Sequence, residues 1–203
     1  MRGYEAARRT RIIRRAVFLC TLLIAEAVYA QSKGDPARGA ARSTPCVSCH
    51  GAPGKAPLAG NPSLDGQMAH YMELQLVLMR EGLRDVPQMA GMLKGLSDRD
   101  LGDIAAYFAS QKPPQPAGNR EAKLHARGAA LAKAMICGNC HGDDYRGQKH
   151  VPRLAHQREE YLAVALKAYR DNKRTGIDTS MNGIMYQVTD GDIRALAHYL
   201  AHL

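Results

Sequence analysis

The sequence predicts an all-α protein built from two similar domains in tandem. Apolar residues recur at helical spacing, and no stretch shows the alternation of a strand. One set of motifs occurs twice, about 90 residues apart, which suits a small domain better than a solenoid repeat. A segment with three prolines separates the copies. The predicted boundaries are residues 1–30 for a leader, 31–112 for the N-terminal domain, 113–118 for the linker and 119–203 for the C-terminal domain.

The first thirty residues are typical of a secretory signal peptide. Six arginines precede an apolar run over residues 16–25, and Val28-Tyr29-Ala30 resembles a small-residue cleavage site. The run is about half the roughly twenty residues that a membrane-spanning helix needs, which disfavours an uncleaved anchor. We therefore expect export and cleavage after Ala30, with twin-arginine export as a weaker alternative. Cys20 leaves with the peptide, so an even number of cysteines remains.

The charge distribution argues against a nucleic-acid partner. The formal net charge of the whole chain is +9, but residues 1–30 contribute +4 of it. The remaining chain is only moderately basic, and no basic stripe with interleaved aromatic residues occurs. Most of the remaining charge lies in residues 116–203, whose net charge is +4.

Each copy is predicted to begin and end with a helix. The first helix covers residues 35–43 in one copy and runs from Arg120 to about Met135 in the other. The last helix starts at Ser97 and at Thr189, because each is a capping residue followed three positions later by an aspartate.

Two glycines in the first helices predict a close helix contact. Gly39 pairs with Tyr107 of the last helix, and Gly128 pairs with Tyr199 in the second copy. A glycine inside a helix costs about 1 kcal/mol relative to alanine, so close packing is a reason to keep it. A plain helix-end glycine is the alternative.

The motif Cys-x-x-Cys-His occurs once in each copy. Its residues are Cys46, Cys49 and His50 in the first copy and Cys137, Cys140 and His141 in the second. Two cysteines at this spacing can form thioethers with the two vinyl groups of one haem, and the following histidine becomes an axial ligand of the iron. We therefore expect two covalently bound haem c groups.

Other uses of paired cysteines fit less well. A thioredoxin-like motif requires a strand and helix around it, and no such context is visible. A single zinc site could use both pairs, but one pair in each copy argues against it. Disulfides within the pairs would be strained and redox-active.

The position of the methionines predicts the second axial ligand. Met89 lies eight residues before Ser97, and Met181 lies eight residues before Thr189. No other methionine pair corresponds in this way, and both precede the final helix among loop-forming neighbours. A histidine and a methionine give a closed haem suited to electron transfer. Bis-histidine ligation is disfavoured because none of the six other histidines repeats between the copies.

Two prolines are predicted to hold the motif histidines. Pro62 and Pro152 follow their histidine by 12 and 11 residues. A carbonyl in that loop can accept the Nδ1 proton of the histidine, which fixes the ring and tunes the iron. A simple turn proline is the alternative.

With these features the sequence resembles the cytochrome c4 family, whose members have a signal peptide followed by two tandem class I cytochrome c domains. The resemblance covers residues 35–203. Three stretches carry it most closely: Pro62-Ser63-Leu64-Asp65-Gly66-Gln67, Gln88-Met89-Ala90-Gly91-Met92-Leu93, and Leu96-Ser97-Asp98-Arg99-Asp100 with Ala105-Ala106-Tyr107-Phe108.

The resemblance implies a periplasmic dihaem electron carrier of a respiratory chain, with two haem domains packed face to face about a pseudo-twofold axis. It implies redox proteins as partners: a membrane quinol-oxidising complex or a dehydrogenase as donor and a terminal oxidase as acceptor. Peripheral association with the membrane stays open. From the charge excess we expect an acidic partner to dock at the C-terminal domain with salt-sensitive association.

Two other functions share some of these motifs. A dihaem electron-transfer subunit of a larger dehydrogenase, such as a sulfide-oxidising flavocytochrome c, would share all of them. A dihaem peroxidase requires a longer chain and one open haem, whereas this chain offers a methionine for each haem. We therefore expect an electron carrier and not an enzyme.

Overall fold

The computed structural model describes residues 34–89, 91–116, 118–174 and 176–203. Residues Gly34–Leu203 form one compact unit. The described residues contain no strand, only an isolated β-bridge between Gln148 and Val151. None of their helices has the length and apolar character that crossing a membrane requires. The all-α prediction is confirmed, and the predicted signal peptide lies outside the described residues.

Nine α-helices and one 3-10 turn follow one another along the described residues. In chain order they are α1 (Pro36–Arg42), α2 (Val47–His50), α3 (Ala69–Arg80), the 3-10 turn (Pro87–Met89), α4 (Asp98–Ser110), α5 (Ala122–Ala134), α6 (Gly138–His141), α7 (Glu159–Arg170), α8 (Ser180–Met185) and α9 (Asp190–Ala201). We call α1–α4 the first half and α5–α9 the second half. In each half the first helix and the long middle helix both pack on the last helix.

The last helix of each half begins where its cap chemistry predicts. Ser97 Oγ accepts the N–H of Asp100 at 3.2 Å, and the Asp100 carboxylate accepts the N–H of Ser97 at 3.0 Å. Thr189 Oγ1 accepts the N–H of Asp192 at 3.2 Å and donates to its carboxylate at 2.7 Å. A cap of this kind contributes about 1 kcal/mol to helix stability.

The first and last helices of each half meet at a glycine. A Cβ atom added to Gly39 would lie 2.0 Å from a main-chain carbonyl oxygen of α4 and 2.8 Å from Tyr107 Cβ. At Gly128 the corresponding distances are 2.1 Å to a carbonyl oxygen of α9 and 2.5 Å to Tyr199 Cβ. Only glycine lets these backbones approach so closely. The predicted glycine–tyrosine contacts are confirmed.

Each half has its own apolar core, built around its last helix. The buried residues of the first core are Met72, Ile104, Ala105 and Phe108. Those of the second are Ala132, Tyr145, Ala155, Leu162, Leu166, Met185, Ile193, Leu196, Ala197, Leu200 and Ala201. The repeated helix pattern of the sequence thus produces two separate cores.

The segment between α4 and α5 is held by both halves. Pro113 packs against Gly66, where an added Cβ would lie 2.5 Å from the proline Cγ. His156 Nδ1 lies 3.1 Å from the carbonyl oxygen of Pro114, and its Nε2 lies 2.6 Å from the main-chain oxygen of Leu203. Gly66 and His156 are equivalent positions, and both have a positive φ, 64° and 62°. The linker boundaries given above remain a prediction.

Candidate functional site

Each Cys-x-x-Cys-His motif forms one short helical turn. Cys46 caps α2, and its carbonyl oxygen accepts the N–H of His50 at 2.9 Å. Cys137 caps α6 in the same way, and its carbonyl oxygen accepts the N–H of His141 at 3.1 Å. Residues three apart on a helical turn lie on one face, so both cysteines of a motif share a face. None of the four motif cysteines forms a disulfide bond.

The motif histidines are oriented by equivalent proline carbonyls. His50 Nδ1 donates to the carbonyl oxygen of Pro62 at 3.0 Å. His141 Nδ1 donates to the carbonyl oxygen of Pro152 at 2.9 Å. A carbonyl oxygen only accepts, so Nδ1 carries the proton and Nε2 carries the lone pair that binds a metal. The hydrogen bonds predicted for the two prolines are confirmed.

Burial favours the uncharged forms of the motif histidines and of the first cysteine in each motif. Burial lowers the pKa of His50 and of His141 below the ordinary value of histidine, although the bond to the proline carbonyl works in the opposite direction. Both rings are therefore neutral at pH 7, the state in which imidazole binds a metal. Burial raises the pKa of the Cys46 and Cys137 thiols.

The two candidate methionines occupy different local structures. Met89 ends the 3-10 turn and is half-buried. Met181 lies in the first turn of α8 and packs on the core of the second half, against which Cys137 also packs. The neighbouring Met185 is almost fully buried, whereas Met92 of the first half is 46% exposed. Sequence reasoning expected loop-forming surroundings for both candidates, but α8 is a helix.

Hydrogen bonds that the sequence did not reveal explain α8. The N–H and the hydroxyl of Ser180 donate to the Asp178 carboxylate at 2.8 and 2.6 Å, and this starts the helix. The buried Asn182 Nδ2 donates to the carbonyl oxygens of Tyr169 and Arg174 at 2.9 and 3.0 Å. Asn182 thus fastens the Met181 segment to the end of α7 and the loop that follows it.

Two glutamines join the halves reciprocally. The N–H of Ser63 donates to Gln157 Oε1 at 2.8 Å, and Gln157 Nε2 donates to the carbonyl oxygen of Ser63 at 2.9 Å. The N–H of Arg153 donates to Gln67 Oε1 at 2.7 Å, and Gln67 Nε2 donates to the carbonyl oxygen of Arg153 at 3.0 Å. Each glutamine therefore binds the residue that follows the histidine-holding proline of the other half.

A buried arginine lies at the same junction. Arg174 Nη2 donates to the Tyr71 hydroxyl at 2.7 Å, and Nη1 donates to the Tyr161 hydroxyl at 3.3 Å. Its guanidinium carbon lies 4.7 Å from the centre of the Tyr169 ring, a cation–π distance. Burial raises the pKa of Tyr71 to about 12, so this hydroxyl stays protonated. Tyr71 and Tyr161 repeat at an interval of 90 residues, which was the signal available in the sequence.

A second cluster of titratable groups, at the end of α9, is hydrogen-bonded internally. His198 Nδ1 donates to the Glu159 carboxylate at 2.9 Å, while its Nε2 accepts the N–H of Glu121 at 2.9 Å. His202 Nδ1 donates to the carbonyl oxygen of His198 at 2.9 Å. Both histidines are buried. Both nitrogens of His198 are used, so it binds its neighbours and offers no free lone pair to a metal.

The donor set of each half fits one c-type haem. Two cysteine side chains that form no disulfide lie one turn apart, as thioether bonds to the two haem vinyl groups require. A neutral histidine follows directly, with its Nδ1 already donating and its Nε2 left to bind iron. Each pair lies on its own turn with its own histidine, which argues against a zinc site shared by both pairs.

Comparison with known families and proteins gives consistent matches. The family model for cytochrome c matches the chain twice, over residues 36–112 and 125–203. A cytochrome c4 from Pseudomonas aeruginosa is 37% identical over 185 residues, which cover 86% of this chain and 91% of the relative. A thiosulfate dehydrogenase electron acceptor from Thiomonas intermedia is 33% identical over 77% of each chain.

A solved structure has the same fold over most of the chain. The crystal structure of reduced recombinant cytochrome c4 from Pseudomonas stutzeri superposes with a TM-score of 0.78 at 33% sequence identity. The match covers 84% of this chain and 99% of that one. Two tandem haem domains, the architecture expected from the sequence, are confirmed.

Proposed function

This chain belongs to the cytochrome c4 family, and we propose that it is a periplasmic carrier of single electrons whose two haem irons are each bound by one histidine and one methionine. As a member it holds two covalently bound haem c groups. It is an electron carrier and not an enzyme, and its partners are other redox proteins.

One observation carries the ligand proposal. In both halves the motif histidine donates Nδ1–H to the carbonyl oxygen of an equivalent proline, at 3.0 and 2.9 Å. This fixes the ring and leaves Nε2 for the iron. We assign Cys46, Cys49 and His50 to the first haem and Cys137, Cys140 and His141 to the second. Met89 and Met181 are the proposed sixth ligands, because each precedes the cap of its last helix by eight residues.

The residues of the chain favour a high reduction potential and fast transfer. The bound haem supplies a one-electron couple. A methionine sulfur is a soft ligand that favours the ferrous state, and a buried apolar environment disfavours the extra charge of the ferric state. The proline carbonyls and cysteine thioethers hold the histidine side of each site in one geometry. Little reorganisation therefore accompanies a change of oxidation state.

The periplasmic location is supported by the leader. Residues 1–30 contain a basic N-terminal region, an apolar stretch and the tripeptide Val28-Tyr29-Ala30, which resembles a signal-peptide cleavage site. Export before haem attachment fits a mature protein whose four cysteines all belong to haem motifs. We propose a quinol-oxidising complex or a dehydrogenase as donor and a terminal oxidase as acceptor.

A dedicated role beside one dehydrogenase is the second candidate. The relative from Thiomonas intermedia is named as the electron acceptor of a thiosulfate dehydrogenase, and this chain matches it over 77% of its length. The same two haem sites would serve such a role. Co-purification of the protein with a dehydrogenase from its own cells distinguishes a dedicated acceptor from a free carrier.

We expect an anionic oxidant to react mainly at the C-terminal domain. Residues 116–203 carry a net charge of +4, so hexacyanoferrate(III) is attracted there and the rate falls with ionic strength. Stopped-flow oxidation of the reduced protein measures this. Lys149→Glu lowers the rate at low salt severalfold, whereas Lys55→Glu, at an exposed position after the first motif, lowers it less. A rate that does not change with salt contradicts the electrostatic docking proposal.

A further inference from the structure

A single peptide group connects each motif histidine to the opposite half. The amide between Pro62 and Ser63 accepts the Nδ1 proton of His50 at its oxygen, at 3.0 Å. The N–H of the same amide donates to Gln157 Oε1 of the second half, at 2.8 Å. Histidine, peptide group and glutamine thus form one chain of hydrogen bonds that crosses between the halves.

The second half repeats this arrangement in the opposite direction. The amide between Pro152 and Arg153 accepts the Nδ1 proton of His141 at its oxygen, at 2.9 Å. Its N–H donates to Gln67 Oε1 of the first half, at 2.7 Å. Gln67 and Gln157 are 90 residues apart, as are the two peptide groups.

The orientation of each glutamine amide is determined by its partners. Gln157 Oε1 also accepts the N–H of Arg158 at 2.9 Å, while Nε2 faces the carbonyl oxygen of Ser63. Gln67 Oε1 also accepts the N–H of Met68 at 2.8 Å. In the flipped orientation the NH2 group would face two N–H donors, so an oxygen must stand there. Both glutamines are buried, so water does not compete for these bonds.

We propose that Gln67 and Gln157 are crossed positioning residues, each of which tunes the haem of the opposite half through the peptide group that holds its axial histidine. The inference rests on the proposed ligation by His50 and His141. Each glutamine is thus expected to affect the reduction potential of the haem that the other half binds.

The direction of the effect follows from hydrogen-bond cooperativity. An amide whose N–H donates to an oxygen is polarised, so its carbonyl oxygen becomes a stronger acceptor. A stronger acceptor draws the Nδ1 proton further from the ring and makes the histidine a more basic ligand. A more basic ligand stabilises the ferric iron. Each intact glutamine therefore lowers the reduction potential of the haem in the opposite half.

The test is a matched pair of variants, Gln67→Leu and Gln157→Leu, in the mature dihaem protein. Each loses the same kinds of hydrogen bond from the same junction, so each is the control for the other. We expect Gln157→Leu to raise the equilibrium constant for reduction of the His50 haem about threefold, which is about 28 mV at about 59 mV per tenfold. Gln67→Leu produces this shift at the His141 haem.

Two further measurements show which haem has changed, without relying on electron-transfer activity. Met89→His and Met181→His each move the potential of one haem and so identify it in the titration. Exchange of the ring Nδ1 proton with solvent, followed by NMR of the reduced protein, is expected to quicken at His50 in Gln157→Leu and at His141 in Gln67→Leu. If the leucine variants do not fold, Gln67→Asn and Gln157→Asn serve instead, because asparagine retains the amide group on a shorter side chain. We expect the same crossed pattern of shifts in haem potential.

The outcomes separate the inference from the function on which it rests. A parent protein without two low-spin histidine–methionine haems contradicts the proposed function. With that spectrum intact, equal shifts of both haems indicate a general loosening of the junction and overturn the inference. Shifts confined to the half that carries the substitution, or no shift in either haem, also overturn it.

Discussion

Replacing Met181 with histidine is expected to lower the reduction potential of one haem by about 0.3 V and to leave the other nearly unchanged. The nature of the axial ligands sets haem potentials over a span of about 0.8 V. A second imidazole in place of a thioether removes the ligand that favours ferrous iron. Met89→His is expected to do the same to the other haem. A potentiometric titration followed in the visible spectrum measures both.

Met185 provides the matched control for this prediction. It is a second methionine of α8, four residues after Met181, and its side chain is only 1% exposed. Replacing it therefore tests whether any buried methionine of this helix affects the haem. Met185→Leu conserves volume and is expected to cost less than about 1.5 kcal/mol while the ferric methionine–iron absorption band persists. If Met185→Leu removes half of that band and Met181→His does not, Met185 is the ligand of the second haem.

Replacing Gly128 with alanine is expected to destabilise the protein by about 3 kcal/mol or more. The added Cβ would lie 2.1 Å from the carbonyl oxygen of Ala195 and 2.5 Å from Tyr199 Cβ. Neither a backbone carbonyl nor a Cβ can swing aside, so α5 and α9 must separate, and their packing is lost. Gly39→Ala is expected to act in the same way on α1 and α4. Denaturant unfolding of the haem-loaded protein measures the loss.

Gly102 is the control for the glycine prediction. It lies inside α4, and among the residues that the structure describes an added Cβ would approach only the Glu73 side chain, at 3.5 Å. Gly102→Ala is expected to stabilise the protein by about 0.5–1 kcal/mol, because alanine is the better helix former. Equal effects of Gly102→Ala and Gly39→Ala would show that helix propensity, and not the helix contact, governs these positions.

Much of the fold was predictable because its signals are local. Ser97 and Thr189 begin the last helices through bonds to residues three positions later, which a sequence displays directly. The glycine–tyrosine contact was visible as a pair that recurs in both copies. The proline carbonyls were predictable for the same reason, since Pro62 and Pro152 keep nearly the same distance from their histidines.

The residues that sequence analysis missed act between distant segments. Gln67 and Gln157 are visible in the sequence only as glutamines 90 residues apart, because their partners lie 86 and 94 residues away in the other half. Asn182 stabilises α8 through carbonyl groups at the end of α7 and in the loop that follows it, which no side-chain pattern displays. Arg174 is buried by tyrosines of both halves, although an arginine in a loop is typically exposed.

We propose that each half holds one haem bound by a histidine and a methionine. A potentiometric titration of the mature protein, with its visible spectrum recorded at each potential, distinguishes this ligation from its alternatives. We expect two one-electron steps at high potential and a ferric spectrum that contains the methionine–iron band in full. A low-potential step, or a ferric haem that readily binds cyanide or peroxide, would contradict it, because one methionine would then not be a ligand.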